Sequence, residues 1–132
     1  MMATNRLILI VAAASLAIFI VANGSGLGRA GPDADERQDA KVALEDGEAH
    51  LIDVRKPQEY AENGLDRARN IPLQEVDRRL EEIGDTEEPV VLYCQSGNRS
   101  AQAADILQRH GFEDVYDLGG RRTAVPVVDE AL

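Results

Sequence analysis

The feature that most constrains this chain is an uninterrupted apolar run that passes through a short glycine-containing loop into an amphipathic helix. The apolar run is Pro89–Tyr93, and the helical pattern that follows covers Ser100–His110. An apolar run of this length indicates a strand buried on both faces, as found in parallel sheets. The loop between the two patterns is therefore predicted at the C-terminal edge of a parallel sheet, where open α/β sheets bind their ligands.

Strand and helix patterns alternate along the rest of the chain. Short apolar runs at His50–Val54 and Val115–Leu118 predict two more strands, the second broken by a double glycine. Helical patterns cover Asp35–Asp46, a short segment opened by Pro57, and Leu73–Ile83. At 132 residues one domain is the default, and strands that alternate with helices imply crossover connections. The prediction is an α/β fold, a three-layer sandwich with a small central parallel sheet flanked by helices.

An apolar segment near the N-terminus indicates a targeting signal. Leu7–Ala22 is a run of 16 residues with Ser15 as its polar member, and Arg6 precedes it. Its length lies between the ~7–15 residues of a signal-peptide core and the ~20 residues of a membrane-spanning helix. Positive charge before the run and an acidic chain after it favour export of the remainder.

This segment sets the expected domain boundaries. Residues 1–30 are predicted to be a signal peptide or membrane anchor, residues 31–34 a linker, and residues 35–132 the folded domain. Cleavage after Ala30, cleavage after Gly24 and no cleavage at all remain open. The domain is therefore expected outside the cytoplasm, in the periplasm or an equivalent compartment, either soluble or tethered by the apolar segment.

Charge and cysteine content exclude several functions. The formal net charge is −10, so a nucleic-acid partner is not expected, because nucleic-acid binding needs a positive surface. Cys94 is the one cysteine, which excludes an intramolecular disulfide and a cysteine-based zinc cluster. The sequence implies no metal and no organic cofactor. Chemistry is therefore expected to centre on Cys94.

Cys94 follows the strongest strand and opens the loop. Gly97 permits a tight curve that turns successive backbone N–H groups inward, and the helix start adds unpaired N–H groups and the positive end of its dipole. Such a cradle favours a thiolate and holds a small anion in the same place. The candidate site residues are the nucleophile Cys94 and the cradle residues that would bind substrate, Gln95, Ser96, Gly97, Asn98 and Arg99.

The other reactive groups of the chain limit the classes of reaction that Cys94 could catalyse. No second cysteine is present to resolve a disulfide, which argues against thioredoxin-type exchange. His110 is expected to cap a helix end, and His50 lies at the opposite end of a strand from Cys94, so a cysteine protease or acyltransferase is poorly supported. Attack on a sulfane sulfur needs no general base, because the thiolate is already charged and the leaving group is a stable anion. Sulfur transfer through a persulfide on Cys94 fits this inventory best.

The spacing of the loop separates this chemistry from that of a cysteine phosphatase. A phosphatase needs Cys-x5-Arg, with a loop wide enough for a phosphoryl group. Here Arg99 follows Cys94 at Cys-x4-Arg, and Ser100 occupies the position that a phosphatase would use. One residue fewer predicts a tighter loop suited to a single extra sulfur atom. An arsenate- or phosphate-processing enzyme is therefore disfavoured.

With these residues the sequence resembles the rhodanese-like family, particularly single-domain exported sulfurtransferases of the phage shock protein E type. The likeness runs from Asp35 to Pro126. Its markers, in chain order, are Leu51–Arg55 with Glu59–Tyr60, Asn70–Leu73, Tyr93–Ala101, Gly111–Phe112, Val115 and Gly119–Gly120. The resemblance implies the rhodanese α/β fold and a persulfide intermediate on Cys94. It also implies thiosulfate or a similar small anionic sulfur donor, with cyanide or a thiol as the acceptor.

The resemblance assigns roles close to the loop as well. Asp53 and Arg55 match a family pair that is expected to be structural, with Arg55 able to reach Glu59 four residues later. Ser100 is expected to be a structural neighbour of the site. Arg99 is expected to steady either the loop or the anionic donor.

Two departures from the family pattern affect other segments. Gly64–Arg69 replaces the family's Gly-His-Ile-x-Gly-Ala, so this segment is expected to be remodelled, and the aromatic residue after the double glycine is absent. Arg121 and Arg122, which follow that double glycine, are expected to form a solvated turn, with a pocket rim for a doubly charged donor as the alternative. Neither departure touches the cradle.

A non-enzymatic module that carries or binds sulfur for a partner protein remains the alternative function.

Overall fold

The structure of the protein, a computed structural model, describes residues 31–132. Within this range four strands form one parallel sheet in the order β2-β1-β3-β4. The strands are β1 (His50–Asp53), β2 (Arg69–Asn70), β3 (Val90–Cys94) and β4 (Val115–Gly120). At the C-terminal edge Asp53 lies opposite Tyr93, and Cys94 lies opposite Gly120. The C-terminal ends of β1, β3 and β4 therefore meet at one edge of the sheet.

Helices connect the strands and cover both faces of the sheet. They are α1 (Ala34–Glu45), α2 (Pro57–Asn63), α3 (Leu80–Ile83), α4 (Asn98–Arg109) and α5 (Arg121–Ala131), with a 3-10 helix at Leu73–Arg78. The start of α1 is fixed by Asp33, whose side chain accepts a hydrogen bond of 2.8 Å from the N–H of Glu36. The predicted α/β sandwich with a central parallel sheet is confirmed.

The core consists of two apolar clusters, one on each face of the sheet. All five residues of β3 are buried, and their side chains alternate between the clusters, as the period of a strand requires. Leu92 and Cys94 belong to the cluster formed with α4, whereas Val91 and Tyr93 belong to the cluster formed with α1 and α5. Cys94 is thus anchored by the core while its backbone leads out into the loop.

The predicted single helix over Leu73–Ile83 is wrong. The segment divides into the 3-10 helix and α3, with a break at Arg79, whose backbone angles are φ −122° and ψ 29°. The apolar residues recur three apart within each half of the segment, and this spacing suits a 3-10 turn as well as an α-helix. Periodicity alone therefore did not distinguish the two.

The predicted solvated turn at Arg121 and Arg122 is also wrong. These residues open α5, and Gly119 and Gly120 continue β4 instead of breaking it. Pro126 lies inside α5, where it removes one backbone donor and obscures the helical pattern. The helix is held by tertiary packing, because its buried face joins the apolar cluster on that side of the sheet.

The predictions for residues 1–30, including the signal peptide and the membrane tether, fall outside the described residues. Within residues 31–132 no helix has both the length and the apolar character needed to span a bilayer. The domain boundaries stay predictions.

Candidate active site

Cys94 lies at the end of β3 with its sulfur enclosed by the loop that follows. The side chain has no solvent exposure. The backbone N–H of Gly97 donates to Sγ over 3.0 Å, and the thiol lies 3.5 Å from the Oγ of Ser100, to which it donates. The Ser100 hydroxyl in turn donates to the carbonyl of Gly97 over 3.1 Å. The sulfur therefore sits among polar groups of the loop and of the first turn of α4.

The loop curves around the sulfur because Gly97 adopts a backbone conformation that other residues avoid. Its φ is +102°, in the left-handed region, and it occupies the N-cap position of α4. No side chain caps this helix start, and its first turn contains no acidic residue. The first N–H groups of an α-helix have no acceptor inside the helix, so they are directed at whatever lies in the loop. We call residues Gln95–Arg99 the cysteine loop.

The junction of β4 and α5 holds the other side of the cysteine loop. Ser96 and Gly120 form an antiparallel bridge, and the N–H of Arg121 donates to the carbonyl of Gln95 over 3.3 Å. A side chain at Gly120 would bring its Cβ to 2.7 Å from the Gln95 carbonyl oxygen. Glycine is required at position 120 by this close approach of two backbones, and the loop is fixed relative to α5.

Arg99 is bound by Glu59 of α2. Its guanidinium donates to both carboxylate oxygens, over 2.6 Å and 3.0 Å. This bidentate pair lowers the pKa of Glu59 to about 2, chiefly because the Arg99 hydrogen bonds stabilise the carboxylate, and it raises the pKa of Arg99. Of the two roles expected for Arg99, the geometry corresponds to steadying the loop.

Arg55 and Asp53 form the expected structural pair, whereas the additional contact of Arg55 with Glu59 is not made, because Glu59 binds Arg99. Both side chains of this pair are buried, and the Arg55 Nη2 lies 2.9 Å from the Asp53 Oδ2. Arg55 also donates to the Oδ1 of Asn63 over 2.9 Å and to the Oε1 of Gln95 over 3.3 Å. A buried charge pair is stable only when its remaining donors are satisfied, and these contacts satisfy them. Arg55 thereby links the ends of β1 and α2 to the first residue of the cysteine loop.

A cavity of about 730 Å³ lies beside the cysteine loop, on the side of α5. Its wall includes the backbone of the loop, the double glycine and the first turn of α5, where Arg122 is exposed. The other charged residue of the wall is Asp117, which is buried and accepts from the N–H of Gly119 over 2.8 Å. Arg121 is half-buried, and its Nη1 has no hydrogen-bond partner among the described residues.

The two histidines lie away from this site. His110 is the C-cap of α4, as expected. His50 begins β1, at the opposite edge of the sheet, and its Nε2 is 2.6 Å from the carboxylate of Glu88. Among residues 31–132 no group of three or more metal-ligating side chains is arranged to hold an ion. The cysteine loop is thus served by backbone N–H groups, a hydroxyl and arginines.

A buried cysteine at the end of a central parallel strand, with the Gly97 N–H on its sulfur and a helix that starts just beyond, places the protein among α/β proteins that carry a cysteine at the C-terminal edge of the sheet. A family model described as the rhodanese-like domain matches residues 36–122. The chain therefore belongs to the rhodanese-like domain family.

Known relatives support this assignment. The chain is 46% identical over 72 residues to the uncharacterised protein YqhL of Bacillus subtilis, which covers 54% of this chain and 56% of YqhL. It is 40% identical over 81 residues to thiosulfate sulfurtransferase PspE of Escherichia coli, and this match covers 60% of this chain and 78% of PspE. A solved rhodanese with anions from E. coli superimposes with a TM-score of 0.54 at 38% identity, covering 57% of this chain and 89% of that one. The match thus spans little more than half of the first relative and most of the other two.

The structure brings together every residue that the sequence analysis placed at the site. Cys94, the cysteine loop and Ser100 form the cradle, and the pair Asp53–Arg55 supports it from β1. The partner of Arg99 was not identified from the sequence, because Glu59 lies 40 residues earlier in the chain. A signal was available, since Glu59–Tyr60 is one of the family markers.

Proposed function

We propose that this chain is a thiosulfate sulfurtransferase and that Cys94 is its nucleophile. The Cys94 thiolate attacks the sulfane sulfur of thiosulfate and forms a new sulfur–sulfur bond. The bond between the sulfane sulfur and the sulfonate sulfur breaks, and its electron pair leaves with sulfite. Charge balances, because a thiolate and a dianion become a persulfide anion and a sulfite dianion. The observation that carries this proposal is the Gly97 N–H held 3.0 Å from Sγ at the uncapped start of α4.

The second half of the reaction returns the enzyme to its starting state. Cyanide or a thiolate attacks the outer sulfur of the persulfide, and the Cys94 thiolate leaves. With cyanide the product is thiocyanate. Neither half of the cycle needs an added proton donor or a cofactor, which agrees with a site made of backbone donors, Ser100 and arginine side chains.

The engagement of Arg99 by Glu59 favours a persulfide over a phosphoryl group at this site. Arg99 is held away by Glu59 on α2, so its fork is occupied by a carboxylate. A phosphatase would need that fork for the phosphoryl oxygens. The backbone N–H groups remain, and these suit the anionic outer sulfur of a persulfide.

Intact-mass measurement of purified protein of residues 31–132 tests the proposal. Treatment with thiosulfate is expected to add ~32 Da, the mass of one sulfur atom, and cyanide is expected to remove it. Cys94→Ser is the matched control and is expected to gain no mass. A wild-type protein that stays folded with a free thiol and gains no sulfur would contradict the proposal.

A sulfur-carrying module without turnover is the second candidate. Similarity to a relative named for sulfur carriage favours it: the chain is 33% identical over 73 residues to the putative sulfur carrier protein YrkF of Bacillus subtilis, a match that covers 55% of this chain and 39% of YrkF. A carrier is expected to gain the sulfur once and to hold it in the presence of cyanide. Continuous release of thiocyanate with excess thiosulfate and cyanide would exclude it.

We also propose that the domain acts outside the cytoplasm. The support is the apolar run Leu7–Ala22 with Arg6 ahead of it and an acidic chain after it. Fractionation of cells that produce the whole chain is expected to place the domain beyond the inner membrane, and N-terminal sequencing would identify any cleavage point. Recovery of the uncleaved chain in the cytosol would contradict export.

A further inference from the structure

We propose that Arg122 selects anionic sulfur donors by binding their charged, oxidised end, an inference that rests on the proposed sulfurtransferase function. In thiosulfate the sulfane sulfur must reach Cys94, so the sulfonate group points away from the sulfur atom of the cysteine. A cation on the wall beside the loop is then well placed to receive it. Arg122 is such a cation, and the family resemblance assigns it no role.

The backbone that carries Arg122 is fixed against the cysteine loop. The Ser96–Gly120 bridge and the hydrogen bond from the Arg121 N–H to the Gln95 carbonyl join the start of α5 to the loop. Arg122 follows one residue later, in the first turn of α5. Its side chain lines the 730 Å³ cavity together with the loop residues from Gln95 onward. Main-chain hydrogen bonds therefore fix the position of the Arg122 backbone relative to the cysteine loop.

The other charged side chains near the cysteine loop are paired, buried or half-buried, so Arg122 is the one placed to recognise the donor. Arg99 is engaged by both oxygens of Glu59, and Arg55 is buried against Asp53. Arg121 is half-buried and does not line the cavity. Among residues 31–132, Asp117 is the one negative side chain in the cavity wall, and it is buried and accepts from a backbone N–H. Arg122 is exposed on the same wall. It presents the cavity's accessible positive charge.

The chemistry of the donor explains why a cation is needed there. The chain carries a formal charge of −10, so a dianion approaches against a repulsive field. A guanidinium offers paired N–H donors that match two oxygens of a sulfonate. The benefit grows with the charge of the donor, because the attraction is electrostatic. Arg122 should therefore discriminate between donors of different charge that carry the same sulfane sulfur.

The test compares a dianionic donor, thiosulfate, with a monoanionic one, methanethiosulfonate, in the variants Arg122→Gln and Arg109→Gln. Arg109 is an exposed arginine at the far end of α4, so its variant removes the same charge away from the cavity. With Arg122→Gln we expect kcat/KM for thiosulfate to fall ~10-fold, mainly through KM, and that for methanethiosulfonate to fall ~3-fold, as charge-assisted contacts of this kind imply. With Arg109→Gln both values should stay within ~2-fold of wild type, as long-range screened charges imply.

Several outcomes would overturn the inference. One is an Arg122→Gln enzyme that matches Arg109→Gln with both donors, and another is an equal loss with both donors, since that would reflect altered loop geometry instead of charge recognition. A charge-conserving variant guards against misfolding: Arg122→Lys keeps the positive charge and should keep the preference for thiosulfate that Arg122→Gln loses, whereas a loss of that preference in a folded Arg122→Lys enzyme would contradict the role of charge. If wild type accepts sulfur from neither donor, the proposed function fails, and that result is distinct from a failure of the role of Arg122.

Discussion

The two edges of the parallel sheet differ in how their polar groups are paired. At the N-terminal edge, His50 lies between two partners, with Nε2 at 2.6 Å from Glu88 and Nδ1 accepting from Arg69 over 3.2 Å. These three side chains are hydrogen-bonded to one another, and Arg69 also donates to the carbonyl of Ile83 at the end of α3. At the C-terminal edge, Cys94 faces a loop whose backbone N–H groups point inward without a capping side chain.

The difference follows from topology. In a parallel sheet every helix that follows a strand starts at the C-terminal edge and ends at the other, so helix N–H groups collect at one edge and helix carbonyls at the other. α4 and α5 both start beside Cys94. His110 and the carbonyl of Ile83 lie at helix ends. The edge where helix N–H groups collect suits an anionic sulfur, and at the other edge Arg69 donates to a helix carbonyl.

Among the proposed changes, Cys94→Ser should have the largest effect on the function of the C-terminal edge. We expect sulfur transfer to be abolished, because an alcohol at this position is neither ionised nor able to form a persulfide. The fold should persist within ~1 kcal/mol, since Ser keeps the size and the polar contacts of the side chain. A thiosulfate–cyanide assay beside thermal melting checks both statements. Clear residual turnover in a folded Cys94→Ser protein would rule out the persulfide mechanism.

Gly120→Ala tests whether the close approach of β4 holds the cysteine loop. The added Cβ would lie 2.7 Å from the Gln95 carbonyl and 3.2 Å from the Ser96 Cα, so the loop must move. Displacement of reacting groups by less than ~1 Å lowers rates by ~10–100-fold, and we expect a loss of kcat in that range.

Gly47→Ala is the matched change at the opposite edge of the sheet. Gly47 has φ +75° with no atom within 4 Å of an added Cβ, so this variant should lose stability through backbone strain and keep its kcat. The comparison uses melting temperature and kcat of both variants. Equal rates in the two folded variants would show that the loop does not depend on Gly120.

Glu59→Gln tests the support given to the loop through Arg99. The substitution keeps the shape of the side chain, removes its charge and replaces one of the two accepting oxygens with an NH2 group that cannot accept from Arg99. We expect a ~2–5-fold lower kcat/KM and a loss of ~1 kcal/mol in unfolding free energy, in the range of partly exposed ion pairs. Glu62→Gln on the exposed face of α2 is the control. If both variants behave as wild type, Arg99 does not steady the loop.

The same ion pair predicts a pH dependence of stability. The folded-state pKa of Glu59 is lowered to about 2 by the Arg99 hydrogen bonds, from an ordinary value near 4.5. The stabilisation is therefore complete above the ordinary pKa and is lost as the pH falls from there through the folded value. Urea unfolding of wild type and Glu59→Gln should differ at pH 7 and converge toward pH 2. A difference that persists undiminished at pH 2 would contradict this origin.

The sequence was sufficient for features that depend on local pattern. The strand before Cys94, the glycine that curves the loop and the helix behind it follow from hydrophobicity and backbone preference, and all three are present. The helix begins at Asn98, two residues before the predicted Ser100, because Gly97 takes the N-cap position. The partner of Arg99 and the contact between Gly120 and Gln95 depend on chain crossings that local pattern does not encode. The pair of Asp53 and Arg55 was expected from the family resemblance, but the helical spacing of Arg55 and Glu59 did not produce a contact, because Glu59 binds Arg99 instead.

His50→Gln is expected to have the smallest effect and completes the comparison of the two edges. The Arg69 guanidinium can only donate, so Nδ1 is the acceptor in that contact and Nε2 faces the Glu88 carboxylate. A glutamine amide replaces one of these contacts at most, so the melting temperature should fall by a few degrees. Sulfur transfer should stay within ~2-fold of wild type, because no donor at this edge is directed at Cys94. A large loss of kcat in a folded His50→Gln protein would mean that the two edges are coupled through β1, and that the chemistry is not confined to the edge where the helices begin.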